Sequence, residues 1–135
     1  MGNIKFEDNR IKCKAALADA GVAFLYEAAG EMVSQTARNS RVRTGQTKGS
    51  WDYNINESEL IATIGSPLQN AIWEEFGTGE YALGGNGRKD SWRYKDEKGQ
   101  WHTTTGKKPN RALWNAMETL KPSLKAALEE KLKGI

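Results

Sequence analysis

The chain is poor in the residues that carry chemistry. It has one cysteine, Cys13, and one histidine, His102, in 135 residues. A lone cysteine cannot close an internal disulfide, which makes a reducing compartment the expected setting. A structural metal site needs several N, S or O ligands, and a catalytic histidine needs an orienting partner and a nucleophile. No apolar run approaches the ~20 residues of a membrane helix. Met1 to Phe6 has no signal-peptide core, and Phe6 stands where a myristoylation motif wants Ser or Thr. Synthesis in a cytoplasm and no membrane partner are therefore expected.

What is present fits one folded domain, 1–135. Hydrophobic residues make up 38% of the chain, with five Trp, four Tyr and three Phe, too many for a disordered segment. A chain of this length can remove roughly two-thirds of its unfolded surface from water.

The net charge of +3 is unevenly placed. Residues 56–86 carry five acids (Glu57, Glu59, Glu74, Glu75, Glu80) and no Lys or Arg. Residues 87–111 carry eight bases (Arg88, Lys89, Arg93, Lys95, Lys98, Lys107, Lys108, Arg111) against three acids. Two solvated loops of opposite sign would explain this. So would a surface that pairs with its own copy, or a basic loop that faces an anion.

Hydrophobic spacing orders the chain. Ile11, Ala15, Ala18, Val22, Leu25, Ala29 and Met32 recur every three or four residues, which predicts a helix over 7–38. A second row, Cys13, Leu17, Phe24 and Ala28, widens the apolar face. It makes Cys13 a small core residue rather than a nucleophile. Alternation in 50–65 around Asn56 to Glu59 predicts a β-hairpin, and a second hairpin is expected over 91–104. Between them, 67–76 reads as a short helix with Ser66 capping and Pro67 at its first position. Ala71, Ile72 and Phe76 should face the core, with Trp73 partly exposed. Residues 77–90 form a Gly-rich loop. A final helix over 109–133 should kink or break near Pro122. The expected class is α+β: a mainly antiparallel sheet of about four strands, packed against a long N-terminal and a C-terminal helix.

No catalytic set emerges. His102 reads as a surface strand residue. Glu74 and Glu75 are adjacent, so on a helix they diverge by about 100° and cannot converge on one substrate. Gly84 to Lys89 and Thr105 to Lys108 lack the Gly-Lys-Ser/Thr ending and the leading strand of a phosphate loop. Trp73, Trp92 and Trp101 lie in or beside the charged segments. They suit a nucleic-acid platform as well as a subunit interface.

Two glycine-centred blocks carry a resemblance. Val42-Arg43-Thr44-Gly45-Gln46-Thr47-Lys48-Gly49-Ser50-Trp51 resembles the "T-G-x-L-x-x-S" entry into the first strand of phage tail-completion, or head–tail joining, proteins. Ile64-Gly65-Ser66, Ala71 and Glu75-Phe76-Gly77-Thr78 are similar to that family's "V-G-S … Y-A … E-F-G-T" block. Gly106, Pro109 and Ala112-Leu113 resemble its closing segment. The likeness spans roughly residues 10–130. Asn70, Asn110 and Thr47 stand where the family has Tyr, Phe and Leu.

The resemblance implies a non-enzymatic virion part at the head-proximal end of a tail. It would form a ring, commonly of six copies, around the DNA channel. Its neighbours would be the tail tube or tail terminator and a head-side connector or stopper. No cofactor and no metal are implied. Candidate interface residues are Glu74, Glu75, Glu80, Tyr81, Arg88, Lys89, Trp92, Arg93 and Trp101. Candidates to line the DNA channel are Arg41, Arg43, Lys48, Lys107 and Lys108. Thr44, Gly45, Ser50, Phe76, Gly77 and Thr78 read as structural. The alternative is a small nucleic-acid-binding module that uses the basic, Trp-containing segment 88–111.

Overall fold

The computed structural model describes residues 7–41 and 46–134; Arg43, Thr44 and Gly45 lie outside the described residues. The order is α1 (Arg10–Asn39), β1 (Asp52–Asn56), β2 (Ile61–Gly65), α2 (Gln69–Phe76), β3 (Trp92–Lys95), β4 (Trp101–Thr104) and α3 (Ala112–Lys133). Short 3-10 turns occupy Lys48–Ser50 and Gly79–Tyr81. The class is α+β. The four strands divide into two separate two-stranded antiparallel sheets.

α1 and α3 form the spine and run antiparallel. Asn39 Nδ2 donates to the Ala112 carbonyl at one end (3.2 Å), and Lys131 pairs with Glu27 at 3.0 Å further along. Ala28 and Ala29 on α1 and Ala112 and Ala116 on α3 are buried. Small side chains let the helices approach closely, so the interior is thin. Met32 and Trp51 are its only large buried apolar groups among the described residues. A polar ladder closes this end of α1. Thr36 Oγ1 donates to the Met32 carbonyl (2.7 Å) and Ser40 Oγ to the Thr36 carbonyl (2.8 Å). The Trp51 indole N–H then donates to Ser40 Oγ at 2.9 Å.

The first hairpin lies along α1. Its register pairs Tyr53 with Ile64 and Ile55 with Ala62, which puts these four side chains on one face. Tyr53 meets Tyr26 of α1 edge-on at 6.3 Å. At the tip, Leu60 packs against Gly21, where a Cβ would lie 3.2 Å from Leu60 Cδ2. Gly21 is a weak helix former, but it leaves room for this contact; a Cβ there would press on the Leu60 side chain. Ser50 Oγ and Ser66 Oγ, 2.6 Å apart, join the segment before β1 to the end of β2.

Three sequence expectations are corrected. Cys13 is exposed, and so is most of the first third of α1; Ile11 is 83% accessible. Neither the hairpin nor α3 extends far enough to cover that stretch. Ile72 and Phe76 are exposed as well, while Ala71 and Glu75 are buried. α2 turns its i, i+4 pair 71/75 toward the start of α3, which rotates the apolar residues outward. Finally, of the kink or break expected near Pro122, the break does not occur: α3 is one helix from Ala112 to Lys133. Pro122 is exposed, so the carbonyl it leaves unpaired can be solvated.

The second hairpin packs against no other helix or strand among the described residues. It projects from the body as an arm, held at its base by loop backbone.

Candidate interaction surfaces

The base of the arm is a clamp between the Glu74 to Glu80 block and the Thr105 to Asn110 segment. Thr78 N–H donates to the Lys107 carbonyl (2.9 Å), Glu80 N–H to the Thr105 carbonyl (3.0 Å) and Asn110 N–H to the Glu74 carbonyl (2.6 Å). Lys107 N–H donates to Thr78 Oγ1 at 2.9 Å. The two chains cross at glycine. Gly77 has φ +76, and a Cβ there would lie 2.8 Å from the Tyr81 carbonyl oxygen and 2.9 Å from that of Lys107. Gly79, at φ +60, would collide with the Thr105 carbonyl and Trp92. The Phe76-Gly77-Thr78 motif thus ends α2 and anchors the arm.

Both carboxylates of the α2 end are used inside the chain. Glu75 is 6% exposed. Its Oε1 accepts the Leu113 N–H (2.7 Å) and its Oε2 the Trp114 N–H (3.3 Å), with Arg111 Nε 3.5 Å away. It therefore caps α3 from another element, supplying acceptors where first-turn N–H groups have none and negative charge where the helix dipole favours it. Arg111 just before the helix takes the left-handed conformation, φ 58. Glu74 pairs with Lys107, and its Oε2 lies 3.7 Å from Arg41 Nε. Of the channel candidates, Arg41, Lys107 and Lys108 come together here, and Arg41 donates to the Lys108 carbonyl at 3.0 Å. Lys108 sits over the Tyr81 ring at 5.7 Å. Lys48 opens its own 3-10 turn.

The arm has two faces. Trp92, Tyr94 and Thr104 line a cleft of about 640 Å³ shared with Asn70, Trp73, Lys107 and Arg88. A second, adjoining cleft of about 640 Å³ continues past Tyr94 to Arg41, Thr47 and the Asp96 to Gln100 turn. Tyr94 stacks on His102 at 5.4 Å. His102 Nε2 lies 2.7 Å from Asp96, and this contact, with backbone N–H groups of Gln100 and Lys98, holds the Asp96 carboxyl below its ordinary value. The opposite face carries Arg93, Thr103 and Trp101, with Lys95 paired to Trp101 across the strands. Arg93 lies 5.2 Å and Lys95 5.9 Å from the Trp101 ring centroid, and Trp101 is 58% exposed. Arg88 pairs with Asp90 (3.2 Å), which lowers the Asp90 carboxyl pKa. Lys89 is exposed nearby. Glu80 accepts from Thr105 Oγ1 (3.2 Å) and raises the pKa of the Tyr81 phenol beside it.

A third surface was not foreseen from the sequence. The Arg111 guanidinium bridges two exposed rings, Phe76 at 5.6 Å and Trp114 at 5.0 Å. Leu83, whose N–H donates to the Phe76 carbonyl, and Ile72, one turn before Phe76, extend the patch and are exposed. Phe76 and Trp114 are thirty-eight positions apart, and Arg111 brings them together.

No group of three or more His, Cys, Asp or Glu that could hold a metal occurs among the described residues, and none of the described helices is long and apolar enough to cross a membrane. Comparison with protein-family models, curated proteins and solved structures finds no match to this chain.

Proposed function

We propose that this chain is a structural part of a phage particle, a tail-completion or head–tail connector protein that acts as a ring around the DNA channel. The resemblance of the Thr44-Gly45 and Phe76-Gly77-Thr78 blocks supplies the role. One structural observation supports an assembled state in particular. The chain exposes 9918 Å² of surface, whereas a compact monomer of 15.0 kDa is expected to expose about 7,000 Å². The surplus comes with exposed Trp73, Trp101, Trp114, Phe76, Ile72 and Leu83, an aromatic-rich set typical of interface cores. A two-stranded hairpin is marginal in water, and beyond the clamp at its base the arm packs on no other helix or strand among the described residues, so a neighbour would add support.

The nucleic-acid reading rests on Arg93, Lys95 and Trp101. Asp96 and Glu97 beside them give the arm mixed charge, which favours protein contact. Light scattering across a concentration series, with DNA retention measured at rising salt, separates the two. The assembly reading expects self-association, or capture by tail tubes or connectors, with little DNA affinity in the monomer. A persistent monomer that binds DNA with a steep salt dependence would overturn it.

A further inference from the structure

We propose that the acidic tip of the first hairpin in one copy seats on the basic outer face of the arm in the next. This rests on the self-association proposed above and names the contact that makes it.

The charge segregation of the chain is partly spent internally. Glu74, Glu75 and Glu80 are occupied by Lys107, the α3 N-terminus and Thr105, respectively. Lys107, Arg111 and Arg88 are held by Glu74, Glu75 and Asp90. Among the described residues, Glu57 and Glu59 form no ion pair, and neither do Arg93 and Lys95. Glu57 faces the Tyr26 phenol and raises its pKa, so these charges lack an ion-pair partner rather than every contact. Both pairs lie beside exposed apolar groups. Glu57 and Glu59 lie in the turn that ends at Leu60 and leads into Ile61 of β2, 44% and 50% accessible, while Arg93 and Lys95 lie against Trp101. The two surfaces match in sign and in apolar content.

They cannot meet within one chain. The tip rests at Gly21. The base of the arm is tied to the far end of α1, where Asn110 Nδ2 donates to the Asn39 carbonyl. From residue 21 to residue 39 the helix spans about 27 Å at ~1.5 Å per residue. Complementary patches at opposite ends of a rigid rod join head to tail, and a head-to-tail contact generates a ring when its rotation closes.

The test is a reciprocal charge reversal. One variant carries Glu57→Lys and Glu59→Lys; the other carries Arg93→Glu and Lys95→Glu. All four side chains are exposed, and far-ultraviolet dichroism checks that both variants fold. Each variant alone sets like charge against like and should weaken self-association by at least about tenfold. Mixed one to one, each tip finds an opposite-signed arm, and association should return. A wild-type oligomer indifferent to both reversals, or reversals that fail to rescue each other, would overturn this contact and leave the assembly reading standing. A wild-type chain that stays monomeric at every concentration defeats both. Reversal at the arm that abolishes DNA retention while leaving the oligomer intact would assign the arm to nucleic acid instead.

Discussion

Removing the Glu75 carboxylate should destabilise the fold by an amount that its geometry lets one work out. The side chain is 6% exposed and spans two elements. It accepts the N–H groups of Leu113 and Trp114, the second and third residues of α3, and lies 3.5 Å from Arg111 Nε. Loss of a helix cap costs about 0.5–2 kcal/mol, and hydrogen bonds to charged groups contribute about 1.5–3 kcal/mol each. Water can reach part of the exposed helix end, so the terms do not simply add. Glu75→Ala should cost about 3 kcal/mol, a large share of a typical total of about 5–15 kcal/mol. Glu75→Gln keeps one carbonyl oxygen for Leu113 but turns an NH2 toward Trp114 N–H and Arg111. It should cost about 1.5 kcal/mol. Urea unfolding followed by dichroism, at one fixed protein concentration, reads both. With a slope near 2 kcal/mol per molar, the midpoints should fall by about 1.5 and 0.7 M. If both variants stay within about 0.5 kcal/mol of the parent, the range of an ordinary surface change, Glu75 is not the cap argued here.

Two further outcomes follow from local geometry. Gly79→Ala forces a side chain into positive φ and against the Thr105 carbonyl; it should lower stability by more than about 2 kcal/mol. Gly30→Ala, in α1 with nothing within 4 Å of the new Cβ, should raise stability by about 0.5–1 kcal/mol. Thermal melting of the two variants compares them directly, and a Gly79→Ala variant that melts no lower than the parent would refute the clamp. The Asp96 carboxyl is held below its ordinary value of 3.8. A depressed carboxyl contributes stability that is fully present well above that value and is lost as pH falls through the lower folded one. Cross-strand nuclear Overhauser contacts between Tyr94 and His102 should therefore persist at pH 6 and weaken as pH falls below about 3.8. Contacts that survive unchanged to pH 2 would mean the Asp96–His102 link does not hold the turn.

The order of elements was legible because it depends on short-range pattern. Helical spacing in 7–38 and alternation in 50–65 and 91–104 anticipate α1 and both hairpins to within a few residues at each end. The errors share a physical cause: the deciding partner is distant in sequence. The apolar stripe of α1 is continuous, yet only the part beyond about Ala20 is covered, because the tip of the first hairpin stops at Gly21. α2 shows Ile72 and Phe76 as its strongest apolar pair, but the start of α3 needs an acceptor, and Glu75 takes the buried face. Glu74 and Glu75 looked like surface charge for the same reason. No short-range signal marks a carboxylate that caps a helix thirty-eight residues further on. Arg93 and Trp101 needed only strand register to be placed on one face, and β-pairing in the second hairpin put them there.

The distribution of tryptophan favours contact over catalysis. Of five Trp, only Trp51 is buried, and among the described residues the buried interior is otherwise alanine, Met32, Thr36, Ser40 and the Glu75 carboxylate. Fully burying a large apolar side chain contributes about 1.5–3 kcal/mol, so leaving Trp73, Trp101 and Trp114 exposed forgoes several kcal/mol, comparable with the net stability of a domain this size. Trp101 lies beneath two cations, and Trp114 shares Arg111 with Phe76. These guanidinium and ammonium groups keep aromatic surface compatible with water in the free chain. They also offer charge to an incoming carboxylate, so that association can bury the rings without stranding an unpaired cation. In the contact proposed above, Glu57 and Glu59 would supply the carboxylates for the arm. The Phe76–Arg111–Trp114 patch is different, because Arg111 already has Glu75. A partner there would meet a neutralised, largely apolar surface, unlike the charged face of the arm.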